Sequence, residues 1–125
     1  KGVRLTVEET GCAVLCDGKW TAEALYNVVD NAVKYTPSGG SVRLAATALG
    51  QFCRIDVSDT GIGIPEAEQA SIFQRFYRGQ AVREQEGLGI GLYLTREILS
   101  GQGGFVKVTS KAGRGSTFSL YLPRN

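Results

Sequence analysis

Asn27-Val-Val-Asp-Asn31-Ala-Val-Lys34-Tyr35-Thr36-Pro37 is a stretch whose polar residues belong on one side of a helix. At about 100° of turn per residue, Asn27, Asn31, Lys34 and Tyr35 share one arc, and Leu25, Val28, Val29 and Ala32 share the other. The apolar arc has a plain use in packing on a core. The polar arc is amide-rich rather than charged, unlike an ordinary solvated stripe. Carboxamide oxygens can ligate a hard cation, a lysine can meet phosphate, and a tyrosine can lie against a ring. A surface helix with two spare asparagines accounts for this stretch alone just as well. Asp17 is placed to cap the helix start, and Thr36-Pro37 with Gly39-Gly40 closes it near Tyr35.

The chain around this helix is 125 residues long, a single domain by size, and 42% hydrophobic, enough for a core of its own. Its net charge of +2 carries no basic run, so nucleic acid and anionic membrane are not indicated as partners. No apolar segment is long enough to span a bilayer, and no signal peptide is present. The three cysteines, Cys12, Cys16 and Cys53, form no Cys-x-x-Cys pair, and without a histidine a zinc site is disfavoured. Each lies in an apolar, strand-like context, which predicts buried reduced thiols in a cytoplasmic protein. The absence of methionine, even at the first position, suggests a piece of something longer.

Alternating and helical patterns predict the remaining elements. Val3 to Glu8 and Cys12 to Cys16 read as short strands around a turn at Thr10-Gly11. Val42, Leu44 and Ala46 alternate with polar neighbours, and after Leu49-Gly50 a second run puts Cys53, Ile55 and Val57 opposite Arg54, Asp56 and Ser58. Beyond Asp59-Thr60-Gly61-Ile62-Gly63-Ile64-Pro65 a short helix should hold Ile72, Phe73 and Phe76. Residues 79–86 are polar and unpatterned, a loop, and Gly87-Leu-Gly89-Ile-Gly91-Leu92 opens a helix through about Leu99. Phe105 to Ser110 and Ser116 to Leu122 are two final strands around Gly113-Arg114-Gly115. This order predicts an α+β fold, a mixed and mostly antiparallel sheet with helices on one face.

Three features carry chemistry. Asp59 shares the strand face of Cys53, Ile55 and Val57, where a carboxylate is costly unless a donor meets it. It either caps the following turn or accepts a hydrogen bond from an adenine amino group, with Gly61 and Gly63 letting the backbone come close to the ring. Gly87, Gly89 and Gly91 stand at a helix start, an anion site in principle. Their spacing is not the dinucleotide fingerprint Gly-x-Gly-x-x-Gly, and a tight turn is the simpler account of them alone. The polar loop before them could close over a nucleotide as a lid. Phe73 and Phe76 are core anchors for its root. Tyr77 and Arg78 stand at its entrance, where a ring and a guanidinium would meet sugar and phosphates, or where Arg78 is simply a solvated arginine.

Taken in order, Asn27 to Pro37, Asp59 to Pro65, Ile72 to Arg78, Gly87 to Leu92 and Gly113 to Thr117 resemble the ATP-binding catalytic domain of sensor histidine kinases. That domain belongs to a superfamily shared with gyrase, the ninety-kilodalton heat-shock chaperone and mismatch-repair ATPases. The resemblance covers essentially the whole chain and implies a Bergerat-type α/β sandwich with ATP between helices and sheet. By the family pattern, Asn31 would ligate Mg²⁺ and Asn27 would lie beside the phosphates. Lys34 and Arg78 would contact phosphate oxygens, and Tyr35 and Tyr77 would flank the nucleotide. Asp59 would take the adenine amine, Gly61 would let the backbone approach it, and Gly63, Ile64 and Leu92 would line the base pocket. Gly87, Leu88 and Gly89, with Gly91 closing their motif, would offer backbone amides to the phosphates; Thr117 would lie near Asp59. Leu88 stands where many relatives carry a hydroxyl residue, so that contact is missing.

The hydrolysing members carry glutamate where Asn27 stands. An amide cannot deprotonate water, so Asn27 argues for a site that leaves the γ-phosphate for another nucleophile. In the resembled kinases Asn27, Lys34 and Arg78 would carry the catalysis. The acceptor histidine must then lie on a separate dimerisation domain of the same protein, with a response regulator downstream. Membrane contact would come only through parts of the parent not in this chain. A serine kinase of the anti-sigma type and a non-catalytic docking module use the same pocket and remain alternatives.

Overall fold

The computed structural model describes residues 18–69, 71–74, 91–111 and 113–123, with the backbone of residues 4–8. In chain order these form β1 (Arg4–Glu8), α1 (Gly18–Lys34), β2 (Ser41–Leu49), β3 (Phe52–Asp59), the single-turn α2 (Glu66–Gln69), α3 (Gly91–Ser100), β4 (Phe105–Ser110) and β5 (Ser116–Pro123). The strands make one sheet in the order β1-β2-β3-β5-β4. β1 runs parallel to β2 and the other three pairings are antiparallel, so the sheet is mixed and mostly antiparallel, as its residue patterns predict.

Period-2 alternation fixes which way the sheet faces. Along β5, Ser116, Phe118, Leu120 and Leu122 are buried, while Thr117, Ser119, Tyr121 and Pro123 are less so. Val42, Cys53 and Val57 join the buried set from the neighbouring strands. Against this inner face α1 lays Ala24, Val28 and Ala32, and α3 lays Thr95 and Leu99. The alanine at position 24 lets α3 come close: Thr95 Oγ1 lies 3.1 Å from Ala24 O and 3.0 Å from Gly91 O, its one hydrogen shared between them. The outer face carries polar pairs instead, such as Ser119 Oγ donating to Asp56 at 2.6 Å, with Arg54 on the other oxygen at 3.0 Å.

α1 ends where Pro37 can supply no N–H to a further turn. Thr36, fully buried, turns its hydroxyl back onto Ala32 O at 2.7 Å and satisfies one of the last carbonyls.

Two expectations need correction. Residues 71–74 are turns rather than helix: Ser71 N–H bonds Glu68 O and Gln74 N–H bonds Ser71 O, both to the third residue back. This tighter winding buries the adjacent Ile72 and Phe73 together, Phe73 edge-on to Phe118 at 6.1 Å. β1 pairs with β2, far along the chain, and the strand expected over Cys12 to Cys16 lies outside the described residues. Cys53 is buried as expected but is disulfide-bonded, not a thiol, which removes that argument for a reducing compartment. Cys12, Cys16, Asp17, Phe76, the loop 79–86 and the helix opening at Gly87 lie outside the described residues.

Phe118 is 1% exposed and joins the turn at Phe73 to the sheet. Phe118→Ala should lower stability by about 3–5 kcal/mol in urea unfolding, a cavity cost that an outward-facing strand position would not show.

Candidate functional site

Strand alternation carries Asp59, the last residue of β3, onto the inner face, and the register sets it opposite Ser116. The carboxylate is half-buried. Its Oδ1 accepts the N–H of Gly61 at 2.9 Å and of Ser116 at 3.3 Å. Among the described residues its Oδ2 has no hydrogen-bond partner, so that oxygen can still accept. Burial raises the carboxyl above its ordinary 3.8, and the Gly61 and Ser116 amides oppose that shift without cancelling it.

Two glycines make this arrangement possible. A Cβ at Gly61 would collide with Tyr35 O and come within 2.9 Å of the Asp59 carboxylate and 3.1 Å of Thr36 Oγ1. Gly115, at φ +89°, lets the start of β5 lie on the Asp59 backbone, where a Cβ would strike the Asp59 carbonyl. Close packing at Gly61 brings the end of α1 against the Asp59 loop, and Ile62 N–H donates to Tyr35 O at 3.2 Å. The end of α1 and the loop after the carboxylate are therefore in contact.

On α1, one side-chain nitrogen of Asn27 is buried with no hydrogen-bond partner. The Asn27 side chain lies against the start of α3, where a Cβ at Gly91 would stand 3.7 Å from its Cβ and 3.9 Å from its amide oxygen. A buried donor without an acceptor costs about 1–3 kcal/mol, and an anionic ligand oxygen would relieve it. Asn31 follows one turn on and is half-buried. Lys34 Nζ pairs with Asp30 at 3.1 Å, both partly exposed. Such a pair is worth only about 0.3–0.5 kcal/mol, too little to hold the lysine from a phosphate.

Ile64 and Leu92 are part-buried at the edge of the core, and Gly63 continues the loop. Thr117 lines the same pocket as Asp59, one residue beyond the register partner Ser116. Its hydroxyl lies 3.0 Å from Ser58 Oγ, a residue of the outer face, while Ser116 is the inward neighbour of Asp59. Alternation gives Ser116 that place, since counting back in twos from Leu120 and Phe118 reaches it. Tyr77, Arg78, Gly87, Leu88 and Gly89 lie outside the described residues. An open carboxylate oxygen, an orphaned amide donor and a second amide one turn away fit a ligand with an amino group at one end and phosphate with its cation at the other.

Because burial raises the Asp59 carboxyl, its ionised form opposes folding above that raised value, and the opposition fades as pH falls through it toward 3.8. Asn at this position keeps an oxygen for Gly61 and Ser116 but carries no charge. Asp59→Asn should therefore equal or exceed the parent in stability at pH 7, with the difference shrinking by pH 4. Urea unfolding at both pH values checks this, and a marked loss of stability at pH 7 would contradict it.

Residues 16–125 match the family described as histidine kinase-, DNA gyrase B- and HSP90-like ATPase. The adaptive-response sensory kinase SasA of Synechococcus sp. (strain JA-2-3B'a(2-13)) is 48% identical over 102 residues, covering 81% of this chain and 27% of SasA. The sensor protein DivL of Caulobacter vibrioides is 45% identical over 125 residues, 98% of this chain and 16% of DivL. The chain thus spans about a quarter or less of these relatives. The mycobacterial sensor histidine kinase MprB superposes with a TM-score of 0.90 at 28% identity, over 98% of this chain and 84% of that one. ShkA, solved full-length with AMPPNP, gives 0.81 at 31% identity, over 97% of this chain and 25% of ShkA. With a match running over most of its length, the chain belongs to the histidine kinase-, DNA gyrase B- and HSP90-like ATPase family, and its fold is that of histidine kinase catalytic domains.

Proposed function

We propose that this chain is the catalytic ATP-binding domain of a sensor histidine kinase, a segment of a longer protein. It holds Mg-ATP and presents the γ-phosphate to a histidine on a separate dimerisation domain. The observation that carries this reading is the buried, unpartnered Asn27 amide on the helix whose far end packs against the loop after Asp59. ShkA, a structural relative at 31% identity, is solved with an ATP analogue, which supports the same choice of ligand.

In this account Asp59 Oδ2 accepts the adenine amine while the Gly61 and Ser116 amides hold its other oxygen. The Asn27 nitrogen donates to a phosphate oxygen, and Lys34 leaves Asp30 to add its charge there. Magnesium, held through the Asn31 carboxamide oxygen, would neutralise the triphosphate as charge moves toward the leaving ADP. The bond from phosphorus to the ADP oxygen breaks as a bond to the imidazole nitrogen forms. Asn27 has no basic atom to take a proton from water, so the site spares ATP for transfer. This chain contains no histidine, so alone it binds and does not transfer. Tyr35, Tyr77, Arg78 and the Gly87–Gly91 segment complete the nucleotide site. No helix among the described residues is long and apolar enough to cross a membrane. We place the domain in the cytoplasm, with membrane contact and a response regulator reached through the rest of the parent.

Calorimetric titration with AMPPNP and Mg²⁺ should show binding to the parent chain. Asp59→Asn should weaken it roughly ten- to hundredfold, the worth of a hydrogen bond to a charged group. Affinity should also fall as pH drops through the raised Asp59 value, since a protonated carboxyl no longer accepts the amine at that oxygen. No binding by the parent chain, or unaltered binding by Asp59→Asn, would refute the site. Full-length parent given γ-labelled ATP should acquire acid-labile label; acid-stable label would point to a serine acceptor instead.

A further inference from the structure

Gln69 ends α2 and touches no nucleotide in the account above, yet its side chain is tied down at both hydrogens. Its amide nitrogen lies 2.9 Å from Ile64 O and 2.8 Å from Ser110 O. Both partners are carbonyls, so the nitrogen must face them and both its hydrogens are used. Beside it, Ile64 N–H donates to Ser110 Oγ at 2.8 Å, and that hydroxyl donates to Gly115 O at 2.8 Å. Gly113 N–H donates to Ile62 O at 2.7 Å. These bonds stitch the stretch 62–64 to the end of β4 and to the turn into β5.

The stretch 61–65 belongs to no helix or strand, so no ladder holds its shape. Its position comes from these tethers and from the bond of Ile62 to Tyr35. A segment held by so few bonds opens locally at low cost, and any ordering left until binding subtracts from affinity. Gln69, from outside both segments, ties one side chain to both sides of the seam.

We propose that Gln69 is a positioning residue for the base end of the nucleotide site: its two-carbonyl clamp holds the 61–64 loop in the shape that receives adenine. The proposal rests on the nucleotide reading of the site. Leucine of similar size lacks both donors, and glutamate at neutral pH replaces them with oxygens facing two carbonyls.

Gln69→Leu and Gln69→Glu, each titrated with the AMPPNP–magnesium complex and with its guanine counterpart, test the clamp. Both variants should bind the adenine analogue roughly tenfold more weakly, the size of one or two net hydrogen bonds. Affinity for the guanine analogue should hardly change, so base discrimination narrows. A general loss of structure would weaken both analogues together and lower the melting midpoint. In the free protein, amide exchange at Ile64 and Gly113 should quicken in both variants. Discrimination equal to that of the parent chain, or unchanged exchange, would overturn the proposal. If the parent chain binds neither nucleotide, the reading of the site fails instead, and the exchange rates still decide whether Gln69 holds the loop.

Discussion

A carboxylate drawn out of water at the end of a central strand constrains everything near it. Asp59 is raised by burial, so its charged form is under strain in the folded chain. Two backbone amides on one oxygen relieve part of that cost, and they come from opposite directions, Gly61 along the chain and Ser116 across the sheet. Both approaches require a missing side chain, at Gly61 for the loop and at Gly115 for the neighbouring strand. Among the described residues the other oxygen has no partner. A half-buried carboxyl that spends one oxygen on two backbone amides suits a receptor for a further donor.

The same close packing ties the loop after Asp59 to α1. The absence of a side chain at Gly61 lets the loop lie on the last turn of α1, and the Ile62–Tyr35 bond fixes the approach. α1 in turn is held by the inner face through Ala24, Val28 and Ala32, with Thr95 bridging to α3. The distance between Asp59 and the asparagines of α1 is therefore set by the core rather than by mobile side chains. A rigid span of this kind suits a ligand with a fixed separation between base and phosphates.

Much of this was legible because it obeys a period. The 3.6-residue pattern of α1 placed Asn27 and Asn31 together, and the two-residue pattern of β3 put Asp59 inward with Val57. Errors arose where period gives no guide. Ile72 and Phe73 looked helical, but i to i+3 turns bury them as a pair. The parallel partner of β1 lies across a long crossover, which local pattern does not encode. Gln69 had no signal, because its partners are main-chain carbonyls brought together from α2's approach and the end of β4. The tight turn at Gly61 was read for its glycine, yet what that glycine avoids, the Tyr35 carbonyl, belongs to another element.

The central claim is that Asp59 and the α1 asparagines hold opposite ends of one nucleotide. Nuclear magnetic resonance on labelled protein with AMPPNP tests this most directly when Mg²⁺ is exchanged for paramagnetic Mn²⁺. The account predicts that nucleotide shifts the Gly61 and Gly63 amides, and that manganese then broadens the Asn27 and Asn31 side-chain signals far more than those of the glycine loop. Broadening centred on the glycine loop, or asparagine signals indifferent to the metal, would contradict it.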